Sequence, residues 1–231
     1  MKKSLFTLLI FVVILLFSRT EAMFDFIFLK DLPPSSPIAD LPIDTKEQLD
    51  TVILLPTGEF DPIEAKTIIQ RIAALPDPLL KKIENHKIKI QLFTGLLTDF
   101  PSTKHLKGKI PRGYTNGTVW DDVPGMGGGT IVFVKIGASD YGNGHGSINL
   151  ELHELAHSVD QIVFNGIRFN KEFLQIWNEE VNDLFPGESY FINYPEEYFA
   201  ETFAMFYTDR NTKKILQERV PKTYSFLQQL Y

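Results

Sequence analysis

The chain of 231 residues contains no cysteine, which excludes a disulfide framework, a thiol nucleophile and any thiolate-bound metal. A metal site here has to use nitrogen and oxygen ligands. Histidine is scarce, with five in the chain, so two of them in a fixed spacing carry weight. Basic residues are outnumbered, 23 against 29, and the net charge of −6 argues against nucleic acid as a partner. Long hydrophobic runs are absent beyond the first residues. That one run, Leu5 to Phe17, follows Lys2-Lys3 and precedes Ser18-Arg19-Thr20-Glu21-Ala22, the order of a secretory signal peptide; it is short of the ~20 residues that span a bilayer. Cleavage after Ala22 removes three cations and one anion, leaving about 209 residues with a charge of about −8. A secreted protein is expected, monomeric and free of the membrane once residues 1–22 are gone.

Residues 23–45 carry Pro33-Pro34, Pro37 and Pro42, and read as an extended leader in which Pro33-Pro34 is a candidate self-processing site. A single domain, large enough for one core, is expected over 46–231. Thr51–Leu55, Ile88–Thr94 and Thr130–Ile136 read as strands. Asp61-Pro62-Ile63-Glu64 supplies a cap, a first-turn proline and a capping glutamate for a helix to about Leu75. From Asn149 helical periodicity dominates, over about 149–164, 168–184 and 195–208, then a short C-terminal pair. The expected class is α+β: a small mixed sheet with packed helices, followed by a helical C-terminal subdomain, with the chemistry-bearing helix between them.

That helix contains His153-Glu154-Leu155-Ala156-His157. On a helix, residues four apart project from one face, so both imidazoles can reach one metal ion while Glu154 reaches a water beside it, the arrangement of a general base in metal-assisted hydrolysis. The neighbours Leu150, Leu152, Leu155, Ala156 and Val159 are apolar, and ionisable groups in such a setting need compensation, which a divalent cation provides. Two histidines leave a catalytic zinc one protein ligand short. Glu201 lies mid-helix among Phe199, Ala200, Phe203 and Ala204 and is taken as the third ligand. Glu197 competes with it, and Asp160 is a weaker candidate, better suited to support a ligand from behind. His86 and His105 read as surface residues; His145, in the turn entering the helix, is placed to hydrogen-bond near the site.

The zinc motif, followed by Tyr194 and Glu201, resembles the catalytic domain of anthrax lethal factor and, more closely, the secreted bacterial Pro-Pro endopeptidases. The closer resemblance runs from roughly residue 49 to the C-terminus. It includes Thr118-Val119-Trp120-Asp121-Asp122-Val123-Pro124-Gly125-Met126-Gly127-Gly128, Ile148-Asn149-Leu150-Glu151-Leu152-His153-Glu154, Tyr194-Pro195-Glu196-Glu197 and Thr223-Tyr224-Ser225-Phe226-Leu227-Gln228. The resemblance implies a zincin-like fold and one zinc ion per chain bound by His153, His157 and Glu201. It further implies Glu154 as general base, Tyr194 as donor to the oxyanion, and hydrolysis of a Pro-Pro bond in an extended segment of an extracellular or cell-surface protein.

Proline offers no N–H for strand pairing, so its recognition falls to ring shape, and Trp120 is the candidate platform. Thr118 departs from the lysine of a family example, which bears on the residues preferred around the scissile bond. The strand Thr130–Ile136 is expected as an edge for an extended substrate, with glycine-rich segments as mobile loops beside it. A zinc endopeptidase of other specificity and a non-catalytic zinc-stabilised binding module stay open as alternatives.

Overall fold

A computed structural model of the protein describes residues 26–36, 38, 47–114 and 116–230; the expected signal peptide lies outside them. Five strands form one sheet: β1 (Phe26–Phe28), β2 (Ile53–Pro56), β3 (Lys89–Phe93), β4 (Gly125–Met126) and β5 (Ile131–Lys135), in the order β1-β2-β3-β5-β4. The central pairs β2/β3 and β3/β5 are parallel and the two edge strands antiparallel. Parallel neighbours require a crossover. Between β2 and β3 it is made by α1 (Pro62–Ala73) and α2 (Asp77–Asn85). The Asp61 carboxylate caps α1, accepting from the N–H groups of Ile63 and Glu64 at 2.9 and 3.1 Å, as the sequence predicts. Isoleucines at 68, 69 and 72 bury its inner face.

The second half is helical: α3 (Leu150–Ser158), α4 (Lys171–Leu184), α5 (Ser189–Asn193), α6 (Pro195–Thr208), α7 (Arg210–Arg219) and α8 (Pro221–Gln228). The core runs continuously from the sheet through α3 into α6, whose Tyr198, Phe199 and Phe203 are fully buried. Phe173 of α4 meets the Phe199 ring edge-on at 5.7 Å. Buried Glu180 of α4 accepts from the N–H groups of Lys222 and Thr223, at 2.9 and 2.8 Å, tying down the start of α8 where a helix N-terminus favours an anion. Among the described residues no helix is long and apolar enough to cross a membrane.

Three expectations need correction. The leader is not wholly outside the domain: Phe26, Ile27 and Phe28 pair with Pro56, Leu55 and Leu54, making β1 an edge strand. The strand Thr130–Ile136 is not an edge, because β5 is paired on both sides; the edge is β4. The glycines before β5 are fastened rather than loose. Gly128 N–H donates to Ser158 Oγ at 3.0 Å, and that hydroxyl donates to the Gly129 carbonyl at 2.8 Å.

Candidate active site

Asn149 starts α3 by accepting the Leu152 N–H at its side-chain oxygen, 3.0 Å away. The helix is regular through Ser158 and then widens into a π-type turn over Val159–Val163. His153 and His157 fall in the regular part, one turn apart, and both face a cleft of about 930 Å³. Glu154 lines the same cleft. Edge strand β4 passes so close to it that a Cβ on Gly125 would lie 2.8 Å from Glu154 Cγ.

The third group at the histidines is Glu197, not Glu201. His153 Nε2 and His157 Nε2 are 3.2 Å apart, and Glu197 Oε2 lies 3.4 and 3.3 Å from them. Glu201 stands on the other side of the His153 ring: its Oε2 is 3.0 Å from Nδ1, and its Oε1 accepts the Ile148 N–H at 2.8 Å. Its burial is therefore compensated by two hydrogen bonds, and its effect is to place the proton of His153 on Nδ1 and leave Nε2 free as a donor atom toward the cleft. Asp160 does not line the cleft: it binds the Arg168 N–H at 3.0 Å and its Nε at 2.5 Å, whereas Glu201 still borders the cleft behind His153.

Three atoms bearing lone pairs thus converge in a near-equilateral triangle, and Glu197 Oε2 is buried without a conventional hydrogen bond. Such a group fits a metal ion. Bonds of about 2.0–2.1 Å at tetrahedral angles put neighbouring ligand atoms about 3.3 Å apart, the spacing observed. The all N/O donor set matches zinc chemistry. Electrostatics point the same way. Burial would depress the His153 imidazole, but the adjacent carboxylates of Glu197 and Glu201, with Glu154 close by, outweigh it and push it up to about 10. Burial would raise Glu197, but the two imidazoles hold its carboxyl well below the usual range. The site calls for positive charge.

The tyrosine facing this centre is Tyr190 rather than Tyr194. Tyr190 lines the cleft, and burial, then the negative charge of nearby Glu197, push its phenol far above the ordinary value, so it remains a proton donor. Tyr194, at the start of α6, is half-buried outside the cleft lining, with the Arg112 guanidinium 4.3 Å over its ring. The pairs Tyr194/Glu201 and Tyr190/Glu197 share one spacing, so the predicted constellation is displaced by about one helical turn.

Trp120 lines the cleft while resting on the aromatic cluster of Phe93, Phe100 and Phe133. Tyr114 was missed by the sequence reading. It also lines the cleft, and burial together with Glu154 and Glu197 raises its phenol. His145 braces the loop before α3 through the Ala138 carbonyl at 2.7 Å and the Ser147 N–H at 3.2 Å, and is no ligand.

The family described as anthrax toxin lethal factor, N- and C-terminal domain, matches residues 42–230. A Pro-Pro endopeptidase of Clostridioides difficile is 42% identical over 207 residues, 88% of this chain and 93% of that protein. One of Paenibacillus alvei is 38% identical over 198 residues, 84% of this chain and 91% of that protein. The chain belongs to the Pro-Pro endopeptidase family. The solved structure of the Paenibacillus alvei Pro-Pro endopeptidase superposes with a TM-score of 0.75 at 38% identity, over 80% of this chain and 100% of that one. Membership makes this chain a metallopeptidase, and the mixed sheet with its helical second half is the fold shared with that Pro-Pro endopeptidase.

Proposed function

We propose that the protein is a secreted zinc endopeptidase that hydrolyses the bond between two prolines in an extended segment of an extracellular or cell-surface protein. The observation that carries this reading is the triangle of His153 Nε2, His157 Nε2 and Glu197 Oε2, with Glu154 and Tyr190 lining the same cleft. The relatives named Pro-Pro endopeptidase support the substrate class, and the order of residues 1–22 supports secretion. Zinc, when bound by these three residues, supplies a Lewis acid that polarises the scissile carbonyl and makes water acidic enough to lose a proton near neutral pH.

Glu154 takes that proton and returns it to the leaving nitrogen, which changes from a tertiary amide to a secondary amine. The Tyr190 O–H donates to the former carbonyl oxygen as negative charge develops there. Glu201 keeps the His153 ring oriented throughout. Neither proline can donate to the backbone of β4, so selection rests on ring contacts, for which Trp120 provides the aromatic face.

The test is a set of peptides with every residue pair flanking one bond, cleaved by protein of measured zinc content. Cleavage confined to Pro-Pro is expected; indifference to proline on both sides would sink the specificity, and undiminished turnover by Glu154→Ala would sink the mechanism. Tyr190→Phe is expected to lower kcat about 10²–10³-fold, as loss of an oxyanion donor does, whereas Tyr194→Phe stays within a few-fold of wild type.

A further inference from the structure

The Glu197 carboxylate divides its two oxygens between different partners. Oε2 faces the imidazoles, and Oε1 lies 3.4 Å from Arg112 Nη2. The same nitrogen donates to Glu196 Oε1 at 2.6 Å. Successive residues on a helix point about 100° apart. Glu196 therefore turns to the arginines, with Arg168 Nη1 at 4.0 Å, while Glu197 turns to the histidines, and Arg112 bridges the two. Its guanidinium lies over the Tyr194 ring, which gives that residue a role as a platform. The next residue continues the contact. Gly113 has φ +84°, and a Cβ there would lie 2.7 Å from the Tyr190 ring, so this turn is seated on the tyrosine that faces the centre.

As an ion pair for stability the bridge counts for little, because the Arg112 side chain is 57% exposed. Its geometry serves something else. A carboxylate free to rotate presents either oxygen, or both, to an ion; a cation held at Oε1 keeps Oε2 forward. One guanidinium nitrogen reaches both carboxylates, and stacking of the planar group on the Tyr194 ring fixes its orientation, which a lysine ammonium on a flexible stem cannot match.

We infer that Arg112 is a positioning residue that fixes Glu197 for binding through one oxygen, with Tyr194 as its platform; this rests on the reading of Glu197 as the third metal ligand. It acts on the centre through Glu197, from a loop far from the zinc motif in sequence.

The experiment follows zinc release from purified wild-type, Arg112→Ala, Arg112→Lys and Glu197→Ala protein into a chromogenic chelator, with kcat, KM and the melting midpoint of the metal-free form measured in parallel. The Ala variant is expected to bind zinc at least about tenfold more weakly, the cost of losing a group that orients a metal ligand. Its kcat should fall with KM little changed, the metal-free midpoint should hold, and the Lys variant should fall between Ala and wild type. Tyr194→Leu, which removes the platform, should shift zinc retention the same way by a smaller factor. Wild-type zinc retention and kcat in both Arg112 variants would overturn the inference, and the Lys variant carries the same reading if the Ala variant does not fold. Stoichiometric zinc in Glu197→Ala would instead overturn the ligand assignment, and the role of Arg112 with it. Loss of zinc there, beside wild-type Arg112 variants, would remove the positioning role alone.

Discussion

At Gly127 the backbone runs against the zinc-motif helix so closely that a Cβ would lie 1.9 Å from the Glu154 carbonyl oxygen. Its φ is not in the left-handed region, so the glycine is required for proximity rather than for conformation. Gly127→Ala is expected to push β4 away from α3. Overpacking of this kind costs about 1–3 kcal/mol, and moving Glu154, the proposed general base, by even 1 Å should cost up to about 10²-fold in rate. Thermal unfolding and steady-state kinetics read the two effects, while Gly58→Ala, with nothing within 4 Å of its added Cβ, should change neither. In the sequence such a glycine looks like one that supplies flexibility, because nothing local shows which backbone lies opposite. The sequence preference for Glu201 over Glu197 has a related cause. They sit one turn apart on α6, both buried, and the rule that a buried carboxylate needs compensation holds for both. For Glu201 the compensation is the Ile148 N–H and His153 Nδ1, partners that only the folded chain brings near.

Among the elements, α3 was the most legible, because apolar periodicity, the Asn149 cap and the paired histidines coincide in one short segment. The strands β2, β3 and β5 were legible from their apolar runs, and α6 from Pro195 at its first turn. The edge strands were not: β1 and β4 have three and two residues, and take their identity from the neighbours they pair with. β1 lies before residue 42, where the family match begins. It covers the open side of β2, whose Ile53 and Leu55 are fully buried. The turn that follows is closed by Ser36 N–H on the Pro33 carbonyl at 2.9 Å, and neither Pro33 nor Pro34 is among the residues lining the cleft. Removing residues 23–36 should lower the melting midpoint and expose β2 as an unpaired edge that promotes concentration-dependent association. Light scattering over a dilution series measures the association. Turnover per molecule at low concentration should be unaffected, since β1 and the cleft lie at opposite edges of the sheet; a matching loss of kcat would contradict that separation.

Over the whole molecule, the site joins two bodies of structure that the chain builds in succession. The histidines come from α3, which packs under the sheet, and Glu197 comes from α6, the buried centre of the helical half. An ion bound by all three cross-links those halves across more than forty residues of sequence. It also neutralises a region where Glu154, Glu197 and Glu201 gather around imidazoles. Ligand linkage makes the consequence quantitative: free zinc at about a thousand times its dissociation constant stabilises the folded form by about 4 kcal/mol. For a domain of this size each kcal/mol moves the midpoint by about 2–4 °C, so chelation should lower it by about 8–16 °C. Re-addition of zinc should restore it. In Glu197→Ala the zinc-dependent shift should vanish, whereas Glu201→Ala should keep a shift reached only at about 10–100-fold higher zinc, because it loses the support of a ligand and not the ligand itself. Equal behaviour of the two variants in this scan would contradict the separate places that the structure gives them on either side of the His153 ring.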